Sequence, residues 1–183
     1  MKRLFLGLAA LSLSSCGYNR IQTYDENISA YQSQIEVQLQ RRSDLIPNLV
    51  ATVRGIATQE QEVFIAIADA RARLGGAIQS GDMGQMAGAN QALTGALGRL
   101  LVISEAYPEL RSSENFRTLQ DQLEGTENRI STARQDYNAA VREYNAFIRR
   151  FPSVLTAKAI GSEPREYFEV TSEEAREVPT VEF

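Results

Sequence analysis

The chain has 183 residues, a formal net charge of −4 and a hydrophobic content of 43%, which suits one folded domain with or without tails. It contains no histidine and one cysteine, so Ser–His and Cys–His nucleophile pairs, Cys/His zinc sites and an intrachain disulfide are excluded. The charge balance also offers no basic face for nucleic acid.

The first sixteen residues, MKRLFLGLAALSLSSC, are organised like a bacterial export signal. Two cations precede an apolar run over residues 4–13, which as a helix would reach about half of a bilayer core. The following Leu-Ser-Ser-Cys resembles a lipobox, in which the cysteine becomes the acylated first residue of the mature chain. We predict a lipoprotein signal peptide over residues 1–15, an anchor and short linker over 16–22, and acyl chains such as palmitate on Cys16. The alternative is an ordinary secretory signal with an incidental cysteine.

An acylated Cys16 would hold the exported chain on a membrane of the bacterial cell envelope. Gly17 occupies the position where an aspartate would favour retention at the inner membrane. In a Gram-negative cell this favours the outer membrane, with the protein facing the periplasm.

A seven-residue apolar frame predicts a first helical arm over residues 24–74. Residues 23–26 fit a capping box at its start, and the Gly75-Gly76 pair would end it. Pro47 interrupts the arm, because it has no N–H and crowds the carbonyl of Ser43 at a cost of about 3 kcal/mol. The helix either kinks at Pro47 or restarts with Asp44 as its cap, and the unshifted frame favours the kink.

Two further helices follow. Asp82 and Gln85 form a second capping box for a helix that runs to residues 107–108, and its four glycines indicate either close helix approach or a loosely held element. Apolar steps of three and four from residue 116 to 151 predict a long helix that Ser113 caps and Pro152 stops. We therefore predict an all-α fold, an elongated antiparallel bundle of three to four long helices over residues 23–151. Residues 152–183, with seven glutamates and three cations, are expected to form an acidic, mostly irregular tail.

Four stretches carry a family resemblance: QLQRRSDLIPNLVATVRGIATQEQEVF, ADARARL, AYPELRSSENFRTLQDQLEGTENRISTARQDYNAAVREYN and FPSVLTAKAIG. Through them the chain resembles the LemA family over about residues 18–168. The resemblance implies a membrane-tethered helical bundle exposed outside the cytoplasm, and it implies no particular reaction. Family members are usually held by an N-terminal transmembrane helix, whereas Cys16 would take that role here.

Arg42 lies on the apolar frame, so its guanidinium must be paired or must reach water. We predict a structural charge network that fixes helix register, with Asn48 satisfying the carbonyls that Pro47 releases. Its members are Arg41, Arg42, Asp44, Asn48, Glu60, Glu105 and Glu127. The alternative is an anion or peptide site at the backbone groups near Pro47. Tyr137 and Tyr144 share one seam, where their rings are expected in the core with each hydroxyl on a rim partner.

These features predict a non-catalytic, lipid-anchored interaction scaffold or adaptor. It would bind the membrane through Cys16 and an unknown envelope protein through its surface or tail, without metal or cofactor, and its long seams leave self-association open. The alternative is an enzyme or ligand carrier that uses Glu105, Glu127 and Tyr137 in an internal cleft. A mechanical spacer is a third option.

Overall fold

The computed structural model describes the backbone of residues 2–169 and the side chains of residues 17–169. Within these limits the chain forms helices and no strand, which confirms the all-α prediction. The helices are α1 (Lys2–Arg54), α2 (Gln61–Ser80), α3 (Met83–Glu105), α4 (Pro108–Ser112), α5 (Glu114–Arg149) and α6 (Ser153–Ile160). The side chain of Cys16 and the acidic residues 170–183 lie outside the described residues. No helix in the described part is long and apolar enough to cross a bilayer.

The chain divides into two compact units. Among the described residues, unit 1 comprises those up to Gln34 together with Ala133–Tyr167, and unit 2 comprises Ile35–Thr132 with Phe168 and Glu169. Helices α1 and α5 are therefore each divided between the two units. Helices α2, α3 and α4 belong to unit 2, and α6 belongs to unit 1.

Unit 2 is built around apolar positions that recur at helical spacing. In α1 the buried residues follow steps of three and four, and α2 packs against α3 through similar stripes. The buried apolar side chains include Ile35, Leu39, Ile46, Leu49, Val53, Phe64, Ile67, Leu74, Met86, Leu93, Leu97, Leu100, Phe116 and Ile130. A continuous core on this pattern makes burial of apolar surface the main stabilising contribution.

Unit 1 has its own core. Ile21 and Ile28 of α1 are buried, as are Tyr137, Val141 and Tyr144 of α5. The chain then turns at residues 150–152 and forms the two-turn helix α6, although irregular structure was expected from Pro152 onwards. Burial of Ser153 and Ala157 gives α6 an inward face, and Gly161, at φ 71°, ends it in the left-handed region that suits glycine.

Helix α1 differs from the predicted first arm at both ends. It passes through Thr23, whose hydroxyl donates to the carbonyl of Asn19 at 2.9 Å, so the predicted capping box is wrong. It also passes through Pro47 without a break, which excludes a restart capped by Asp44. The arm is interrupted instead at residues 55–60, within unit 2. Gly55 weakens the helix there, and the side chain of Ala57 is fully buried in the turn.

The glycine pair predicted to end the first arm lies inside α2. Gly75 and Gly76 remain helical, because Leu74 and Ala77 on either side are buried and hold the helix in place. The chain ends α2 only at Gly81, at φ 70°, which residues with a Cβ rarely adopt. Tertiary packing therefore overrides the weak helix propensity of a glycine pair.

Two predicted helix starts are confirmed. Asp82 caps α3 by accepting from the N–H of Gln85 at 2.8 Å, and the Gln85 amide donates to the other carboxylate oxygen at 3.0 Å. Ser113 caps α5 by accepting from the N–H of Phe116 at 3.4 Å. Side-chain acceptors at these positions satisfy N–H groups that have no partner in the first turn of a helix.

Candidate functional site

The main polar cluster of unit 2 is centred on Arg42, which is only 4% exposed. Its Nη1 donates to Oδ1 of Asn90 at 2.7 Å and to Oε2 of Glu127, with which it also forms an ion pair. The three residues lie on α1, α3 and α5, so one guanidinium joins three helices. We call Arg42, Asn90 and Glu127 the Arg42 cluster.

Burial acts on the charge of this arginine. It lowers the pKa of Arg42, and the neighbouring Glu127 carboxylate opposes that shift. The Arg42 Nε is buried without a hydrogen-bond partner among the described residues, whereas the Glu127 side chain is 45% exposed. The cluster therefore runs from a desolvated guanidinium to a carboxylate that water still reaches, which limits the desolvation penalty of the pair.

Of the seven residues predicted for the charge network, the structure brings Arg42 and Glu127 together. Asp44 accepts from Nε2 of Gln40 at 2.8 Å, and Glu60 lies 3.5 Å from the hydroxyl of Tyr107. Arg41, Asn48 and Glu105 are exposed. Sequence reasoning missed Asn90, although its place between Ala87 and Leu93 on the buried stripe of α3 marks it as a polar residue that needs a partner.

The carbonyl released by Pro47 has a distant partner. Because Pro47 has no N–H, the carbonyl of Ser43 lacks the donor that it would normally have within α1. Arg71 of α2 fills the position, since its Nε donates to the Ser43 oxygen at 3.0 Å. The sequence predicts Asn48 for this role, but the Asn48 side chain is exposed and its backbone carbonyl accepts from the Thr52 hydroxyl. The helix therefore continues through proline with help from α2.

An apolar groove lies beside the Arg42 cluster in unit 2. It has a volume of about 220 Å³, and four leucines are among the residues of its mainly apolar wall. The lining residues are Arg42, Leu49, Thr94, Leu97, Gly98, Leu101, Gln120, Leu123, Glu124 and Glu127. We call it the leucine groove. Its volume is below the roughly 300–1,000 Å³ typical of small-molecule pockets, so it suits one or two inserted side chains better than a cofactor.

Unit 1 holds a second polar cluster, which fastens residues 161–167 to its helices. Asn145 and Arg165 exchange two hydrogen bonds of 2.9 Å between the amide side chain and the backbone, and Arg165 also pairs with Asp25 at 2.6 Å. The Tyr137 hydroxyl donates to the carbonyl of Glu166 at 2.9 Å. We call these residues the clasp.

The clasp alters two protonation equilibria. Burial raises the pKa of Tyr137 to about 12, although the nearby Arg165 opposes the shift. The hydrogen bond to Asp25 raises the pKa of Arg165, so this arginine keeps its charge. A buried phenol that donates to a backbone carbonyl is a structural group, as expected for Tyr137 on the core seam.

Neither cluster assembles the groups proposed for acid–base chemistry. Glu127 is engaged by Arg42, the Tyr137 hydroxyl is engaged by a backbone carbonyl, and Glu105 is exposed at the end of α3. Among the described side chains, no group of three or more carboxylates or thiolates is placed to hold a metal ion. The geometry is that of a helical bundle protein whose interior charges connect helices.

The family model that matches this chain is described as LemA family, and it covers residues 31–183. The chain therefore belongs to the LemA family, as its motifs predicted.

Curated relatives extend this similarity. The chain is 34% identical over 175 residues to magnetosome proteins MamQ 1 and MamQ 2 of Paramagnetospirillum magneticum, covering 83% of this chain and 64% of each relative. It is 31% identical over 195 residues to magnetosome protein MamQ of Magnetospirillum gryphiswaldense, covering 91% of this chain and 72% of that protein. The chain thus spans just under two thirds of the length of the first two relatives. The family and these relatives indicate a membrane-associated protein of the cell envelope.

Proposed function

We propose that this protein is a non-catalytic, lipid-anchored adaptor of the bacterial cell envelope. Acyl chains on Cys16 would confine it to a membrane surface, and the leucine groove would receive an apolar side chain of a protein partner. The observation that carries the proposal is the closed Arg42 cluster beside an open apolar groove. Because Arg42 and Glu127 are paired with each other, the groove would bind a partner through shape and apolar contact.

The Arg42 cluster supports an adaptor through its effect on register. A guanidinium held by α1, α3 and α5 at once penalises any sliding of these helices, because sliding would leave a buried charge unpaired. Leu49, Leu97 and Leu123 come from the same three helices. The cluster therefore keeps the groove in a fixed shape, which lowers the entropic cost of binding a partner.

The groove also indicates the chemistry of its occupant. Its wall is apolar, and Glu124 at its edge is exposed while Glu127 is already paired with Arg42. A partner helix that presents a leucine or phenylalanine with a lysine or arginine one turn away would match both features. Recruitment at a membrane would raise the effective concentration of such a partner.

The anchor rests on the sequence. The lipobox, the short apolar run and the positive start support acylation of Cys16, and family membership supports a location in the cell envelope. Gly17 supports the outer membrane, facing the periplasm, in a Gram-negative cell.

The groove is tested by photo-crosslinking in whole cells from position 101. Leu101 lines the groove, whereas its neighbour Val102 is 68% exposed and does not. We expect one reproducible adduct from a photoreactive group at position 101 and none from the same group at 102. Leu101→Asp should weaken the complex by about 2 kcal/mol or more, as for a central interface residue, while Val102→Asp should not. Equal adducts from both positions would contradict the proposal.

The anchor is tested by palmitate labelling and membrane fractionation. Wild type should take up labelled palmitate and sediment with membranes, and Cys16→Ala should not be labelled. The apolar run of residues 4–13, if it is not cleaved, could hold this variant on the membrane. Cys16→Ala is therefore also expressed behind an ordinary cleavable signal, and a high-salt wash should then release it from the membrane fraction. Labelling of Cys16→Ala would refute the lipid anchor.

One observation favours a ligand carrier as a second candidate. The groove is open, and about 220 Å³ can hold a small apolar molecule. Native mass spectrometry of protein extracted from membranes separates the two functions. A stoichiometric small-molecule adduct that Leu101→Asp abolishes would favour the carrier, whereas protein without such an adduct would favour the adaptor.

A further inference from the structure

Helix α6 lies directly against Gly17 of α1. A methyl group built on Gly17 would sit 3.2 Å from the Thr156 hydroxyl oxygen, so the backbone one residue after Cys16 touches the middle of α6. Both residues belong to unit 1. If acyl chains on Cys16 enter a membrane, α6 is therefore held at the surface of that membrane.

The apolar side chains that unit 1 exposes are concentrated around this point. Phe151 is 80% exposed and Leu155 is 61% exposed, and Tyr18 and Ile160 are exposed as well. In the described part of unit 1 these are the large hydrophobic side chains exposed to solvent, and all lie in α6, immediately before it, or next to Gly17. The inward face of α6 is filled by Ser153 and Ala157. Its outward face has no covering element among the described residues of unit 1.

Charge at the same place is opposite to that of the whole chain. Residues 144–162 include Arg149, Arg150 and Lys158 and contain no acid, although the chain as a whole has a net charge of −4. All three cations are exposed. A cationic segment with exposed aromatic and aliphatic side chains is the composition of an element that lies in a bilayer interface.

An open depression adjoins the segment. It has a volume of about 630 Å³ and is lined by Arg20, Arg142 and Arg150, with Phe151 at its edge and one acid, Glu143. Arg20 is held there by stacking over Tyr24 and Phe147, with its guanidinium carbon 5.8 Å and 5.4 Å from the two ring centres. Three guanidiniums around one depression suit a phosphate group, because each presents several N–H donors to its oxygens.

We propose that residues 149–160 and the arginine depression form a docking surface for an anionic lipid bilayer. Phe151 and Leu155 enter the interface between headgroups and acyl chains, while Arg149, Arg150 and Lys158 contact lipid phosphates. The proposal rests on the proposed acylation of Cys16. It adds that unit 1 contacts the membrane directly and is not attached through the acyl chains alone. It also gives the anchored protein one orientation.

The test uses the absence of tryptophan from the sequence. Phe151→Trp introduces a single tryptophan into the otherwise unchanged, acylated chain, and this tryptophan is excited selectively over the seven tyrosines. The protein is reconstituted into vesicles of phosphatidylglycerol and phosphatidylethanolamine with brominated acyl chains, which quench a tryptophan that reaches the interface. Ile65→Trp is the matched control, since Ile65 is 59% exposed but lies one turn from both Glu62 and Asp69. Circular dichroism checks that each variant is folded.

We expect strong quenching of F151W and little quenching of I65W. Quenching of F151W should decline in zwitterionic vesicles and in the R149Q/R150Q/K158Q background, where loss of three cations should weaken docking by roughly two orders of magnitude.

Several results would overturn the inference. If the protein is retained by vesicles but F151W is unquenched, the anchor stands and the docking surface does not exist. Equal quenching in zwitterionic vesicles would refute the role of the cations. F151W shielded from aqueous iodide in cell envelopes but unquenched in vesicles would indicate an acidic protein in place of lipid. Protein that vesicles fail to retain would refute both the anchor and the docking surface.

Discussion

Arg42 shows how one buried charge can specify a helical packing. Its apolar neighbours on α1, Leu39 and Ile46, are buried for hydrophobic reasons, and the guanidinium is carried into the core with them. Burial lowers its pKa and Glu127 opposes that shift. Because a guanidinium stays charged in proteins, the buried group needs a partner of opposite charge. The same group then selects which faces of α3 and α5 may approach α1.

We predict that Arg42→Ala lowers the free energy of unfolding by about 2–3 kcal/mol, because it leaves Asn90 without its donor and removes a buried stem. The loss is moderate because water already reaches Glu127. Arg42→Met should cost less, since its side chain fills part of the same space. Arg41→Ala is the matched control, as Arg41 is exposed and should change stability by no more than about 0.5 kcal/mol. Urea denaturation measures the free energy of unfolding of the three variants. Equal losses for Arg42→Ala and Arg41→Ala would contradict the role of Arg42 as a buried, paired charge.

Tyr137 predicts a dependence of stability on alkaline pH. Burial raises the pKa of Tyr137 from the ordinary tyrosine value of 10.0 to about 12 in the folded state, so the folded chain retains a proton that the unfolded chain releases. The resulting stabilisation is complete below pH 10 and is lost as pH rises towards 12, by roughly 2–3 kcal/mol in all. Urea midpoints between pH 9 and 12 should fall in wild type, and more weakly in Tyr137→Phe. Parallel curves for the two proteins would show that another group is responsible.

At the scale of the helix, the effect of Pro47 on α1 is compensated by Arg71 of α2. Proline removes the N–H that the Ser43 carbonyl would accept, and Arg71 from α2 supplies a donor instead. This hydrogen bond from α2 helps α1 to remain helical through Pro47. The two helices therefore stabilise each other at a position where the sequence alone shows only a helix-breaking proline.

A double-mutant cycle tests this link. Arg71→Ala should lower the free energy of unfolding by about 1 kcal/mol in wild type, and by close to nothing in Pro47→Ala, where the restored N–H can bond the Ser43 carbonyl. Arg73→Ala, on the same helix and also exposed, controls for loss of a surface arginine. If Arg71→Ala costs the same in both backgrounds, the two residues act independently.

Gly95 within α3 and Gly81 at the end of α2 should respond differently to replacement by alanine. A Cβ on Gly95 of α3 would meet nothing within 4 Å, so close approach of another helix does not explain this glycine. Gly95→Ala should raise the free energy of unfolding by about 0.5–1 kcal/mol. Gly81→Ala should lower it by roughly 1–2 kcal/mol, because the chain needs φ 70° there. Thermal melts of both variants compare the signs, and destabilisation by Gly95→Ala would show that α3 is closely covered at this position.

The whole molecule combines two units with separate cores and different surfaces. Unit 2 contains the Arg42 cluster and the leucine groove, and unit 1 contains the clasp and the cationic, apolar segment around α6. The family model reaches into both units, since it matches residues 31–183. The proposed partner and membrane surfaces therefore belong to different parts of one family architecture.

At this scale, salt should separate the two proposed membrane contacts. At 1 M salt the Debye length falls to about 3 Å, so contacts between cations and lipid phosphates should weaken while burial of acyl chains persists. We predict that a high-salt wash leaves the wild-type protein in the membrane fraction but reduces lipid quenching of F151W. Release of the protein by salt alone would mean that charge, and not acylation, holds it there.

The sequence by itself determined that the chain is helical and belongs to the LemA family. Apolar residues at steps of three and four predicted the long helix α5, and the capping residues Asp82 and Ser113 marked two helix starts, because these signals act within one or two turns. Local signals failed where packing decided the outcome. Thr23 resembled a cap, Gly75-Gly76 resembled an end, and the irregular region expected from Pro152 begins with α6.

Only the tertiary structure decided the partners of Arg42, the donor for the Ser43 carbonyl and the position of α6 beside Gly17. These contacts join residues far apart in sequence, such as Arg42 and Glu127, which are 85 positions apart. Amphipathic periodicity gives the face that a helix buries but not the helix it meets. That choice depends on how several faces pack together, so the groove, the clasp and the docking surface could not be derived from spacing alone.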